Sequence, residues 1–143
     1  MMATAINRRA RAGFTLVELI AVIVILGVLS AVAIPRLYDH GSAAKSASTK
    51  AILGSVRSAI ANFYATSALS GTTAWPTLTQ IQTAGSKGVM QEAIPANPYN
   101  SSATVAAATW TSTNPTSGNA GWNYDASNGK FWANSSTAGE NAW

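Results

Sequence analysis

The sequence predicts an α+β protein. A long N-terminal helix, one half suited to a membrane and the other protruding from it, packs on a small C-terminal antiparallel β-sheet. Three observations carry this expectation. Phe14 to Ile34 is an apolar run of 21 residues with a single charge, Glu18. Helical spacing of apolar residues resumes after Pro35 and continues to about Ala65. Near the C-terminus, two aromatic segments flank a connection rich in turn-forming residues. A length of 143 residues suits one domain rather than two.

The apolar run comes first. At about 1.5 Å per residue it reaches roughly 30 Å, the hydrocarbon thickness of a bilayer. Arg8, Arg9 and Arg11 precede it and predict a cytoplasmic N-terminal end with the remainder exported. Two plain explanations compete. A secretory signal peptide also pairs a basic start with an apolar stretch, and Ala31-Val32-Ala33 imitates its cleavage site. The run is long for that, however, and contains a carboxylate. A simple single-span anchor leaves Glu18 equally unexplained, because an ionisable group inside a span is costly and rarely stands without a partner.

Beyond Pro35, Ala44, Ala47, Ala51, Ile52, Val56, Ala59, Ile60 and Phe63 recur three and four apart, with Lys45, Lys50 and Arg57 on other faces. The pattern predicts one helix from about Thr15 to about Ala65, bent near Pro35 and loosened around Gly41. The stretch Ser67 to Gly71 ends it. A short helix follows over Thr77 to Thr83, with Thr77 as N-cap and Leu78 and Ile81 facing inward. Pro95 and Pro98 impose an extended or turning path. Thr104 to Thr111 reads as a strand weakened by its alanines. Trp122-Asn123-Tyr124 and Lys130-Phe131-Trp132, joined across Asp125 to Gly129, read as a β-hairpin.

Several function classes are poorly supplied. There is no cysteine, so no disulfide, thiolate metal site or cysteine nucleophile is available. His40 is the single histidine, and with Asp39 it reads as a solvated pair rather than acid–base machinery. The five carboxylates, Glu18, Asp39, Glu92, Asp125 and Glu140, lie far apart in sequence. The net charge of +4 owes much to the three N-terminal arginines. Without them six basic side chains face five acidic ones, so no nucleic-acid partner is expected.

The segment Gly13-Phe14-Thr15-Leu16-Val17-Glu18, with the basic leader before it and Pro35 after it, resembles the prepilins of type IV filaments. The resemblance is close from Arg8 to about Arg36. It implies cutting between Gly13 and Phe14 by a prepilin peptidase at the inner membrane and methylation of the new Phe14 amine. It divides the chain into a leader (1–13), a transmembrane and assembly helix (14–35) and a periplasmic or extracellular pilin-like domain (36–143). It also implies a role for Glu18, pairing with the Phe14 amine of a neighbouring subunit as helices bundle into a homopolymer. The segment from Trp75 to Trp132 is similar, more loosely, to the major G-type pseudopilins of type II secretion. That likeness implies a periplasmic pseudopilus, an inner-membrane assembly platform and minor pseudopilins. The rival within the class is a type IV pilus subunit for adhesion, motility or DNA uptake. Many type IVa pilins close a C-terminal loop with a disulfide, which this chain cannot form.

Related pseudopilins often bind calcium in the C-terminal loop. Here the only acid nearby is Asp125, with Asn123 and Asn128 as neutral oxygens. One carboxylate supports weak calcium affinity at best, and the competing reading makes Asp125 an Asx-turn residue with Gly129 at positive φ. Trp110, Trp122, Tyr124, Phe131 and Trp132 suit the core of a small sheet. Their alternative is a stacking surface, which would make the chain a membrane-anchored glycan-binding module. Asn100-Ser101-Ser102 and Asn134-Ser135-Ser136 match a glycosylation pattern short enough to arise by chance. The expected function is structural: a filament subunit, not an enzyme.

Overall fold

A computed structural model describes residues 13–86 and 88–143, with the side chains of residues 35–39 outside that description. Arg8, Arg9, Arg11 and the Asp39 carboxylate therefore lie outside the described residues. The chain divides into two units, Met1–His40 and Gly41–Trp143.

Helix α1 is assigned over Leu16–Leu69, and the helical assignment continues through Pro35 and Gly41. Thr15 opens it with a reciprocal cap. The Thr15 hydroxyl accepts from the Glu18 N–H at 3.3 Å, while Glu18 Oε2 accepts from the Thr15 N–H at 2.8 Å and its hydroxyl at 2.9 Å. Thr-x-x-Glu is the sequence form of a capping box. The helix ends four residues later than its apolar spacing predicts, and Gly71 explains where. At φ +80, its N–H bonds to the Ala68 carbonyl, and that of Thr72 to the Ser67 carbonyl. These two bonds form a Schellman ending, with glycine in the left-handed position.

In the second unit the buried face of α1 is Thr49, Leu53, Val56 and Ile60. Val56 and Ile60 belong to the face expected from spacing, whereas its alanines Ala44, Ala47 and Ala51 are exposed. Alanine favours helix in either environment, so its recurrence marks the helix without marking the buried side.

The short helix α2, Leu78–Gln82, starts from Thr77 with a second capping box closed by Gln80, and buries Ile81. The sheet contains β1 (Val105–Ala107), β2 (Trp122–Asp125) and β3 (Lys130–Ala133), in that order. The hairpin is confirmed, with Tyr124 opposite Phe131 and Trp122 opposite Ala133. The sheet as a whole is mixed rather than antiparallel, because β1 runs parallel to β2, pairing Val105 with Trp122. Parallel neighbours require a crossover rather than a tight turn, and residues 108–121 supply it. β1 is only three residues long, shorter than the Thr104 to Thr111 strand expected from sequence.

The crossover makes the sheet two-sided. Alternate residues point to opposite faces, yet all four residues of β2 are buried. One face, Trp122, Tyr124, Phe131 and Ala133, joins Leu53, Val56 and Ile60 of α1, Ile81 of α2, and Ile94. The other face carries Asn123 and Trp132 beneath the crossover. Pro115 accepts there from both Asn123 Nδ2 at 3.0 Å and Trp132 Nε1 at 3.0 Å. Asn134 clips the same loop, donating to Ser117 and Ala120 carbonyls and accepting the Ser117 N–H. A 3₁₀ turn, Glu140–Ala142, ends the chain's regular structure.

Candidate functional site

The residues expected to be processed and to assemble lie in the first unit. Gly13 and Phe14 precede the helix, and Phe14 is 93% exposed. From Leu16 to Ile34 the helix is long and apolar enough to cross a membrane, and none of that window is buried. In water such a surface is strongly unfavourable. Its partner must be lipid or other protein. Glu18 sits within this surface. Its Oε2 is engaged by Thr15, while Oε1 has no partner among the described residues. The carboxylate thus caps its own helix, a role that the Thr-x-x-Glu spacing signals and the resemblance does not mention.

His40 is exposed. Asp125 lies at the end of β2. Its Oδ1 accepts the Ser127 N–H at 2.9 Å and hydroxyl at 2.6 Å, and its Oδ2 accepts Asn128 Nδ2 at 3.0 Å and the Trp110 N–H at 2.8 Å. The Ser127 hydroxyl, followed by the Trp110 N–H, holds this carboxyl below its ordinary range. Four donors surround it where calcium needs oxygen ligands. Among the described residues no group of three or more His, Cys, Asp or Glu is gathered. The donor set as it stands does not fit the ion. It matches the Asx-turn reading, completed by Gly129 at φ +70.

The same site ties the crossover to the hairpin, since Trp110 belongs to the former. Burial, and after it the negative charge of Asp125, push the neighbouring Tyr124 hydroxyl up to about 12. It therefore remains a donor, to the Pro76 carbonyl at 2.7 Å. Both glycosylation-like asparagines fasten the chain to itself, Asn100 from the surface and Asn134 from inside. Asn100 Nδ2 donates to the Ala120 and Asn134 carbonyls, and Asn134 is 5% exposed.

Sequence reasoning passed over Glu140, placed in a small polar tail. It is fully buried. Burial pushes its carboxyl up, but hydrogen bonds from its own N–H, the Ser135 hydroxyl and the Ala138 and Thr137 N–H groups outweigh this and hold it below its usual range. Arg57 was also assigned to an outer face. Half-buried, it donates Nε to the Phe131 carbonyl at 2.9 Å and Nη2 to the Trp143 main-chain oxygen.

Residues 8–34 match the prokaryotic N-terminal methylation motif. Over 49 residues, 34% of this chain, the sequence is 51% identical to the type IV narrow pilus major component PilA5 of Thermus thermophilus. That alignment covers 42% of the relative's length. No solved structure matches the chain. The exposed apolar helix that starts two residues after Phe14 thus coincides with a methylation motif, in a chain homologous over about a third of its length to a type IV pilin.

Proposed function

We propose that this chain is the structural subunit of a type IV-like filament. A prepilin peptidase cuts between Gly13 and Phe14, and the Phe14 amine is methylated. The helix then holds the subunit in the inner membrane, residues 36–143 outside, until neighbouring copies bundle their apolar helices. Glu18 Oε1 takes the Phe14 amine of the next subunit. Such a pair offsets two desolvation costs, whereas either partner alone is a stranded charge. The observation that carries this reading is the methylation motif over residues 8–34, coincident with an apolar helix of which nothing is buried.

Of the two filament kinds, the surface pilus is the better supported, because the relative is named as a pilus component. The periplasmic pseudopilus, with its assembly platform and minor pseudopilins, draws on the Trp75 to Trp132 segment and the lack of cysteine. Intact mass of the purified subunit tests the processing. A methylated start at Phe14 is expected, and a start at Ile34 would identify a cleaved signal peptide and remove the filament reading. Deleting the gene then separates the filament kinds: loss of surface fibres marks a pilus, and loss of protein export with fibres intact marks a pseudopilus.

A further inference from the structure

The aromatic residues of the second unit divide into two sets. Trp122, Tyr124, Phe131 and Trp132 are buried. Trp75, Trp110 and Trp143 are only half-buried, and all three line one cleft of about 410 Å³ with Arg57, Asn128 and Lys130. Small-molecule clefts typically measure about 300–1,000 Å³.

The walls are held from behind. Trp75 stacks on Tyr64 with ring centroids 4.1 Å apart, and Gly129 closes on the indole so tightly that a Cβ there would lie 2.3 Å from it. Trp110 meets the buried Trp132 edge to face at 5.3 Å, and its main-chain N–H is fixed by Asp125. Trp143 is held through its main-chain oxygen by Arg57. Little ordering remains to be done when a ligand enters.

The side chains of the cleft carry one sign of charge: Arg57 and Lys130 line it, and no Asp or Glu side chain does. Lys50 adds a third cation, its Nζ 4.6 Å from the centroid of the Trp143 ring. Lys130 Nζ lies 5.4 Å from that of Trp110. Two of the five N–H groups of Arg57 meet main-chain oxygens, and no described residue accepts the other three. A positioned guanidinium presents a planar fork that matches a carboxylate. Indole faces are electron-rich and attract cations, and the apolar C–H face of a saturated ring also packs on them.

We infer that this cleft binds an acidic saccharide: a sugar ring lies on the Trp110 face while its carboxylate meets Arg57 and Lys130. A single-stranded nucleic acid would also stack on indoles, but it needs a basic groove that follows its backbone. One cleft, on a chain whose remaining charges nearly balance, favours a compact anion. The inference concerns the second unit alone and stands whether or not the chain forms filaments.

The test titrates the full chain in detergent micelles with trigalacturonate, following indole N–H resonances by NMR and heat by calorimetry. Its neutral methyl ester and a single-stranded oligonucleotide are the comparisons. Saturable shifts at Trp75, Trp110 and Trp143, with Trp122 and Trp132 unmoved, are expected. Affinity should fall at least tenfold for the methyl ester, for Trp110→Ala and for Lys130→Gln. The lysine variant alters an exposed side chain, so its loss of binding cannot be ascribed to misfolding. Absence of saturable binding, equal binding of the ester, unchanged affinity in Lys130→Gln, or tighter binding of the oligonucleotide would each overturn the inference.

Discussion

The two units of this chain handle apolar surface in opposite ways. Between Leu16 and Ile34 every large apolar side chain is exposed, at 47% or more, and the polar side chains there are Ser30 and Glu18, the latter bonded to the capping Thr15. In Gly41–Trp143 the large side chains Trp122, Trp132, Tyr124 and Phe131 are at most 1% exposed. The indoles of Trp122 and Trp132 each donate to a proline carbonyl. The second unit completes its core from its own residues. The first presents a surface that is stable only against something else. A substitution in one should therefore be read out in assembly, and in the other in folding.

Glu18→Ala should show the largest effect. Insertion into membranes should persist or improve, because an intramembrane charge is gone, while filament formation should be lost with the partner of the Phe14 amine. Membrane fractionation with electron microscopy of the variant separates the two. Normal filaments would mean that the carboxylate serves only as the cap of its own helix, and the contrast between the units would lose its functional side.

Trp122→Ala should leave assembly contacts of the first unit untouched and cost the second about 3–5 kcal/mol, as truncation of large buried aromatics does. It removes the ring stacked 5.6 Å from Phe131 and leaves the Pro95 carbonyl without its 2.9 Å donor. Denaturant titration of the full chain in micelles, followed by tryptophan fluorescence, measures it. A loss under about 1 kcal/mol would place this residue outside the core.

Gly129→Ala sharpens the comparison at the hairpin. Residue 129 has φ +70, and a Cβ would collide with Trp75. Left-handed strain of this kind costs about 1–3 kcal/mol, and the same titration should report a loss of that size. A stability equal to the parent's would show that Trp75 yields freely.

Asp125→Asn should have the smallest effect, seen in the pH dependence. Because the folded state holds this carboxyl below its ordinary range, its contribution is present above the unfolded value near 4 and is lost as pH falls through the lower folded value. The variant should be less stable than the parent at neutral pH and should show a flatter decline below about pH 4. Parallel acid-unfolding curves decide the point. Added calcium should raise the stability of neither protein.

Much of this architecture is legible in local residue order. The apolar run needs no tertiary contact to declare itself, since its length and composition alone match a bilayer. Thr77 capping α2, and Asp125 with Gly129 turning the hairpin, act over two to four residues, the range in which a sequence displays physical signals directly. The buried face of α1 was harder to read. Spacing marks Val56 and Ile60, but alanine recurrence is silent about burial, so the inclusion of Thr49 and Leu53 waits on what packs against the helix.

What only the tertiary structure decided lies at long sequence separation. The parallel pairing of β1 with β2 depends on a crossover whose polar composition marks a loop without revealing its destination. Asn123, Trp132 and Asn134 become fasteners only once that crossover covers the second face of the sheet. Glu140 and Trp143 appear as a polar tail until burial and Arg57 give them places. The separation of the tryptophans into a core set and a cleft set follows from the same closure. In each case the partners are brought together by the folded chain rather than by spacing, and no short-range pattern records the pairing.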